Sequence, residues 1–150
     1  MKKFDELDEK IIAVLTQDAR TSAREVARIV GLSDTGVRKR LKRFSSTGTA
    51  KITAVVNPSS AGLNVSAFVR LQTAPSVARK VVEAAAELDF VSFAALTAGK
   101  FNVVVLVLAE DERSLADMVH SHFRCWDGVH KIETIQLVGT TKHRLDLIMI

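Results

Sequence analysis

The 150-residue chain has one cysteine, Cys125, which excludes an internal disulfide framework and fits a reducing compartment. It also lacks a long apolar run. The longest strongly apolar stretch, Val103 to Ala109, falls far short of the roughly 20 residues needed to span a bilayer. The opening MKKFDELDEK turns acidic before any apolar segment develops, so it does not read as a signal peptide. The expectation is a cytoplasmic protein with no membrane partner. Metal-ligand spacing is missing too: His120 and His122 stand two apart on an expected helix and point to different faces, unlike pairs four apart that share a metal. Cys125 and His122 lack a third orienting group and an oxyanion device, so neither an enzyme nor a cofactor is expected.

What the chain does have is an apolar fraction of 47%, sufficient for a substantial core in one ordinary domain or two small ones. Its charge is uneven. Residues 1–60 carry 12 Lys plus Arg against 7 Asp plus Glu, whereas residues 61–150 carry 9 against 10, so the basic surplus belongs to the first part. That asymmetry points to a polyanion partner. It concentrates in Ser33 to Phe44, SDTGVRKRLKRF. At about 100° per residue, Arg38, Lys39, Lys42 and Arg43 lie within roughly 80° of Thr35, while Val37, Leu41 and Phe44 cluster on the opposite side. Arg40 falls between the faces, where its stem can follow the apolar seam and its head can pair with a carboxylate or a phosphate. A solvated charged helix would show the same pattern, so context has to decide.

The context is a helical triplet. A first helix is expected from near Asp5 to about Gln17, with Leu7, Ile11, Val14 and Leu15 on one face and Asp5, Glu6 and Asp8 at its N-terminal dipole. Ser22-Ala23-Arg24-Glu25 reads as a capping box opening a second helix that stops at Gly31. Gly31-Leu32-Ser33 is a turn of helix-turn-helix length, with Ser33 as the next N-cap. Ala50 to Val56 alternates like a short strand, which completes a winged helix, and Asn57 to Gly62 has hinge composition.

From Val65 the order is strand (to about Thr73), helix (76–88), strand (91–97), strand (101–109), helix (111–124) and strand (130–138), the βαββαβ succession of a ferredoxin-like sandwich. The fold class is therefore α+β, with a winged helix-turn-helix over 1–57, a hinge over 58–64 and a ferredoxin-like domain over 65–150. Two helices cover one sheet face only, yet Phe101 to Leu108 is apolar in both alternation phases. The second face needs a cover, and sheet-to-sheet packing into at least a homodimer is expected.

Several local patterns together resemble the Lrp/AsnC, or feast/famine, family of transcription regulators over nearly the whole chain. Leu7-Asp8-x-x-Ile11-Ile12-x-x-Leu15-x-x-Asp18-Ala19-Arg20 is similar to its opening helix. Val26-Ala27-x-x-Val30-Gly31-Leu32-Ser33 and Val37-x-x-Arg40-Leu41-x-x-Phe44 are similar to its helix-turn-helix, and Gly48 to Asn57-Pro58 with Gly62 to its wing and hinge. The resemblance implies a transcription regulator that binds double-stranded DNA, senses a small effector such as an amino acid between C-terminal domains, and assembles as dimers that close into octamers. In helix-turn-helix docking Ser33, Thr35, Arg38 and Lys39 approach base edges, Lys42 and Arg43 serve phosphates, and Ser22 joins the DNA-contacting set.

The resemblance places the effector near the turn joining the second and third strands, usually Gly-x-x-Asp and here Gly99-Lys100-Phe101-Asn102. Asn102 keeps hydrogen-bonding capacity but lacks the carboxylate that pairs with an ammonium. Thr134, Gln136, Val138 and Thr140 share one side of the last strand if it runs that far, and Thr134, Gln136 and Thr140 join the effector set. Two further departures stand out. Gly36 costs about 1 kcal/mol of helix propensity in the recognition helix, either to let the backbone approach DNA or at the expense of a loose first turn. Thr49-Ala50 replaces a more apolar pair ahead of the wing. The alternatives are an effector-independent architectural DNA-binding protein and a small-molecule-binding assembly protein whose basic helix is incidental; a flat selection profile from random DNA marks the former.

Overall fold

The computed structural model describes residues 4–142, so residues 1–3 and 143–150, the outer ends of the two expected domains, lie outside the described residues. The chain divides into two compact units, with the boundary between Val55 and Val56.

In the first unit α1 spans Glu6–Gln17, α2 Ala23–Val30 and α3 Asp34–Ser46. Each contributes to one small core in which Ile11, Val26, Ala27, Val37 and Phe44 are buried and Phe4 meets Phe44 edge-on at 5.7 Å. Local chemistry sets the ends. Asp5 and Asp8 form a reciprocal capping box at the start of α1. At α2 only half of the expected box forms: Ser22 accepts from the Glu25 amide, while the Glu25 carboxylate turns forward to Arg28. Gly31 takes the left-handed conformation, φ +74°, that turns the chain from α2 into α3.

The strand expected over Ala50 to Val56 does not form. Residues 51–57 join no ladder, and Ile52, Val55 and Val56 are exposed. Alternation prepares a segment for a sheet, but a strand exists only when a second backbone answers its amides and carbonyls, and none among the described residues does so here. Ala50 instead packs against the three-helix core. Within the stretch expected as a hinge, Pro58–Ala61 is a 3₁₀ turn whose cap, Asn57, accepts from the Ser59 amide at 3.2 Å.

In the second unit β1 (Val65–Thr73), α4 (Ala78–Ala86), β2 (Val91–Leu96), β3 (Val103–Ala109), α5 (Glu112–Met118) and β4 (Val129–Gln136) follow the expected succession. The sheet is antiparallel with order β2-β3-β1-β4. Alternate residues of its central strands, Val65, Ala67, Val69 and Leu71 of β1 and Val103, Val105, Val107 and Ala109 of β3, are buried together with Ala78, Val81 and Ala85 of α4 and Leu115 of α5. After Met118 the helix widens into a π turn, Val119–Phe123, which delivers the fully buried Phe123 edge-on to Phe90 and Trp126.

Among the described residues the opposite face has no cover within this unit. It carries Phe68 of β1, Val104, Leu106 and Leu108 of β3, Phe93 of β2 and Ile135 of β4, related by the pairings Phe68 with Leu106 and Ile135, and Phe93 with Leu106. Phe93 and Ile135 are exposed. Among the boundaries that differ from expectation, three stand out. β3 begins at Val103, which makes the β2–β3 turn the longer Thr97 to Asn102; α4 starts at Ala78 without a side-chain cap; and β4 ends at Gln136, leaving Val138 98% exposed and Thr140 beyond the strand.

Candidate nucleic-acid interface and effector clefts

Helix α3 buries Val37 and Phe44 and half-buries Leu41, and this orientation turns Thr35, Arg38, Lys39 and Lys42 outward, all exposed. Its first turn is firm. The Ser33 hydroxyl accepts from the Gly36 amide at 3.1 Å and lies 3.2 Å from the Thr35 hydroxyl. A Cβ at position 36 would stand 3.1 Å from the Ser33 Oγ, so Gly36 keeps the cap uncrowded and the turn is not a loose one. Ser22 has the same capping role on α2. Both hydroxyls are thus engaged with their own helix ends.

The basic side chains of α3 divide into three groups. Arg38 pairs with Asp34 one turn back at 2.9 Å, an exposed pair that exchanges readily with solvent or ligand. Arg40 crosses to α1, donating to Asp5 Oδ2 at 2.6 Å and to Asp8 Oδ1. Arg43 also reaches α1, donating to Asp8 Oδ2, and its guanidinium lies 5.4 Å from the Phe44 ring centroid. The Arg40 guanidinium holds the Asp5 carboxyl below its ordinary pKa, and the two carboxylates raise that of Arg40. Among the described residues no ion pair involves Lys39 or Lys42. The acidic first turn of α1 is legible in sequence as a dipole partner; its grip on α3 is not, because it depends on the crossing of two helices.

The expected effector residues do not form one site within the unit. Around the β2–β3 turn a cleft of about 420 Å³ is lined by Arg70, Thr97, Ala98, Lys100, Phe101 and Val104. Gly99 takes φ +121° at its tip, a conformation that suits glycine. Arg70, unremarked in the sequence, lies 4.8 Å from the Phe101 ring centroid and pairs with Glu133 at 2.7 Å. Its Nε is buried without a hydrogen-bond partner among the described residues. Asn102 is occupied elsewhere: its Oδ1 accepts from the Thr73 amide at 2.9 Å and its Nδ2 donates to the Thr73 carbonyl at 3.0 Å.

Thr134 and Gln136 instead line a separate cleft of about 790 Å³ between α5, the π turn and β4, with Glu112, Asp117, His120, Arg124, His130 and Lys131 around it. Gln136 Nε2 donates to Glu112 Oε1 at 3.3 Å across this cleft. Thr140 belongs to neither. His122, expected in a core or interface, is half-buried with its ring 5.0 Å from that of Phe90. Among the described residues no three His, Cys, Asp or Glu side chains gather as a metal site, and no helix is long and apolar enough to cross a membrane.

Comparison with known proteins agrees with this architecture. Residues 4–44 match the AsnC-type helix-turn-helix domain, and residues 66–147 match the Lrp/AsnC ligand binding domain. The HTH-type transcriptional regulator LrpA of Pyrococcus abyssi is 33% identical over 129 residues, which cover 85% of this chain and 92% of that protein. The leucine response regulatory protein of Mycobacterium tuberculosis is similar in structure with a TM-score of 0.81 at 27% identity, covering 98% of this chain and 99% of that one. A transcriptional regulator of Neisseria meningitidis, solved as a complex with L-Met, superposes with a TM-score of 0.84 at 23% identity, over 97% of each chain. With its helix-turn-helix in the first unit and its ligand-binding sandwich in the second, the chain belongs to the Lrp/AsnC family of transcriptional regulators.

Proposed function

We propose that the protein is a sequence-specific, double-stranded-DNA-binding transcriptional regulator whose second unit takes a small polar effector such as an amino acid. The observation that carries the reading is the two-sidedness of α3: its apolar side is buried while Thr35, Arg38, Lys39 and Lys42 stand exposed on the other. Thr35, Arg38 and Lys39 read base edges in the major groove, and Lys42 meets phosphate. A bidentate Arg38 to guanine contributes about 1–3 kcal/mol of discrimination. The L-Met complex of the Neisseria relative supports an amino-acid effector. The two clefts of the second unit lie apart in one protomer and fit a site completed between protomers. The uncovered apolar sheet face supports a homodimer, the building block of an octamer.

One observation favours a second reading. Asn102, the residue of the turn best suited to hold a ligand, has its side-chain amide engaged with Thr73, which suits a DNA-binding protein of architectural type that answers to no effector. Selection of bound genomic fragments with and without a mixture of amino acids separates the two. Enrichment of a common motif that shifts with amino acids supports the regulator; a flat, strongly salt-dependent profile supports the architectural protein.

A further inference from the structure

Resting on the DNA-binding reading of α3, we infer that Asp8 is the positioning residue of the recognition helix, and that it withholds Arg40 and Arg43 from DNA so that the phosphate contact of α3 falls to Lys42. Sequence alone counts five cations on α3, and three of them face carboxylates in the structure. The pairs differ in kind. Asp34 and Arg38 form an exposed i,i+4 contact that a base edge can replace. Asp8 is different, because only 3% of its side chain is exposed and both its oxygens are engaged: Oδ1 with Arg40, Oδ2 with Arg43 and with the Asp5 amide at 3.2 Å.

Drawing either guanidinium away toward a phosphate would leave that buried carboxylate short of a partner, which is a far more expensive exchange than losing a surface pair. Asp5 reinforces the arrangement, since its Oδ1 and Oδ2 both accept from Arg40 and its carboxylate also caps α1. Two carboxylates and two guanidiniums cancel, so the cluster presents no net charge to DNA. What it supplies is orientation: α3 is tied to α1 at two points one turn apart, Arg40 and Arg43, on the flank between its apolar and exposed sides.

The test is the salt dependence of binding by the full-length protein to one labelled duplex of mixed sequence, because the slope of log affinity against log salt counts the phosphates contacted, which a merely structural role would leave alone. Lys42→Ala is expected to lower the slope by about one unit. Arg43→Gln is expected to leave the slope unchanged even if affinity falls, and Asp8→Asn to steepen it by about one unit as Arg43 is released to phosphate. If Arg43→Gln lowers the slope as much as Lys42→Ala, or if a folded Asp8→Asn leaves it unchanged, the inference is overturned while the DNA-binding reading stands. If Lys42→Ala leaves the slope untouched, that reading fails and this inference with it. Should circular dichroism find Asp8→Asn unfolded, Arg43→Gln decides.

Discussion

Asn102 grips the backbone of Thr73 from both sides: it accepts from the Thr73 amide at 2.9 Å, donates to the Thr73 carbonyl at 3.0 Å, and takes the Thr73 hydroxyl on the same oxygen at 3.1 Å. With the Asn102 amide on the Leu71 carbonyl at 3.0 Å, the end of β1 is bound to the start of β3. An amide side chain both donates and accepts here, which a carboxylate cannot do.

Asn102→Asp is therefore expected to set a carboxylate oxygen against the Thr73 carbonyl and destabilise the protein by about 1–3 kcal/mol near neutral pH. The loss should shrink on acidification, as the carboxyl is protonated and regains a donor. Urea unfolding at neutral and acid pH measures both; stability equal to wild type at neutral pH would show that the grip is dispensable.

The clamp on α1 separates two arginines two positions apart. Arg40, with 22% of its side chain exposed, leaves Asp8 with one partner fewer when truncated, whereas Arg38 is 67% exposed and the Asp34 side chain it meets 42%. Arg40→Ala should cost about 1.5–3 kcal/mol, since Asp8 keeps Arg43, and Arg38→Ala no more than about 1 kcal/mol while weakening DNA selectivity. Chemical denaturation of both variants checks the order.

Acid should loosen the first unit. Asp5, Glu6 and Glu25 are held below their ordinary values, foremost by hydrogen bonds from Arg40, Lys10 and Arg28 respectively. A folded-state pKa lower than the unfolded one contributes stability that is complete above the ordinary value, near 3.8 for Asp5 and 4.5 for the glutamates, and is lost as pH falls through the folded value. Melting temperatures should fall on descending through that range, and Asp5→Asn should flatten the descent. A parallel descent in the variant would remove Asp5 from the account.

The uncovered sheet face should report on association. Phe93, across from Leu106 on that face and 39% exposed, is expected to lie within the homodimer contact. Phe93→Lys puts a charge there without disturbing the opposite, helix-covered face, so analytical ultracentrifugation on dilution should find the variant dissociating at concentrations where wild type does not. Identical sedimentation would place the contact elsewhere.

Much of this was readable from one dimension. Val37, Leu41 and Phe44 recur at helical spacing, so burying them turns Lys39 and Lys42 outward whatever the rest of the chain does. Ser22 and Ser33 accept from amides three residues on and the Gly31 amide donates to the Ala27 carbonyl, bonds so local that the ends of these helices are legible in the sequence. The alternation of Val65 to Leu71 likewise marks one sheet face for the helices, whereas Val103 to Ala109 is apolar throughout and only folding decides which of its phases meets them.

Other features depend on what arrives from far along the chain. Arg40 sat between two faces with its partner open, and the packing of α3 across α1 assigned it to Asp5 and Asp8, more than thirty positions away. Ala50 to Val56 has a strand's alternation but meets no second strand among the described residues, and Thr134 and Gln136 line a different cleft from Lys100 and Phe101 because β4 and the β2–β3 turn line different parts of the sandwich. Periodicity and capping act over a few residues and are written locally; ion pairs, strand partners and clefts need two segments at one place, and the chain brings them there only on folding.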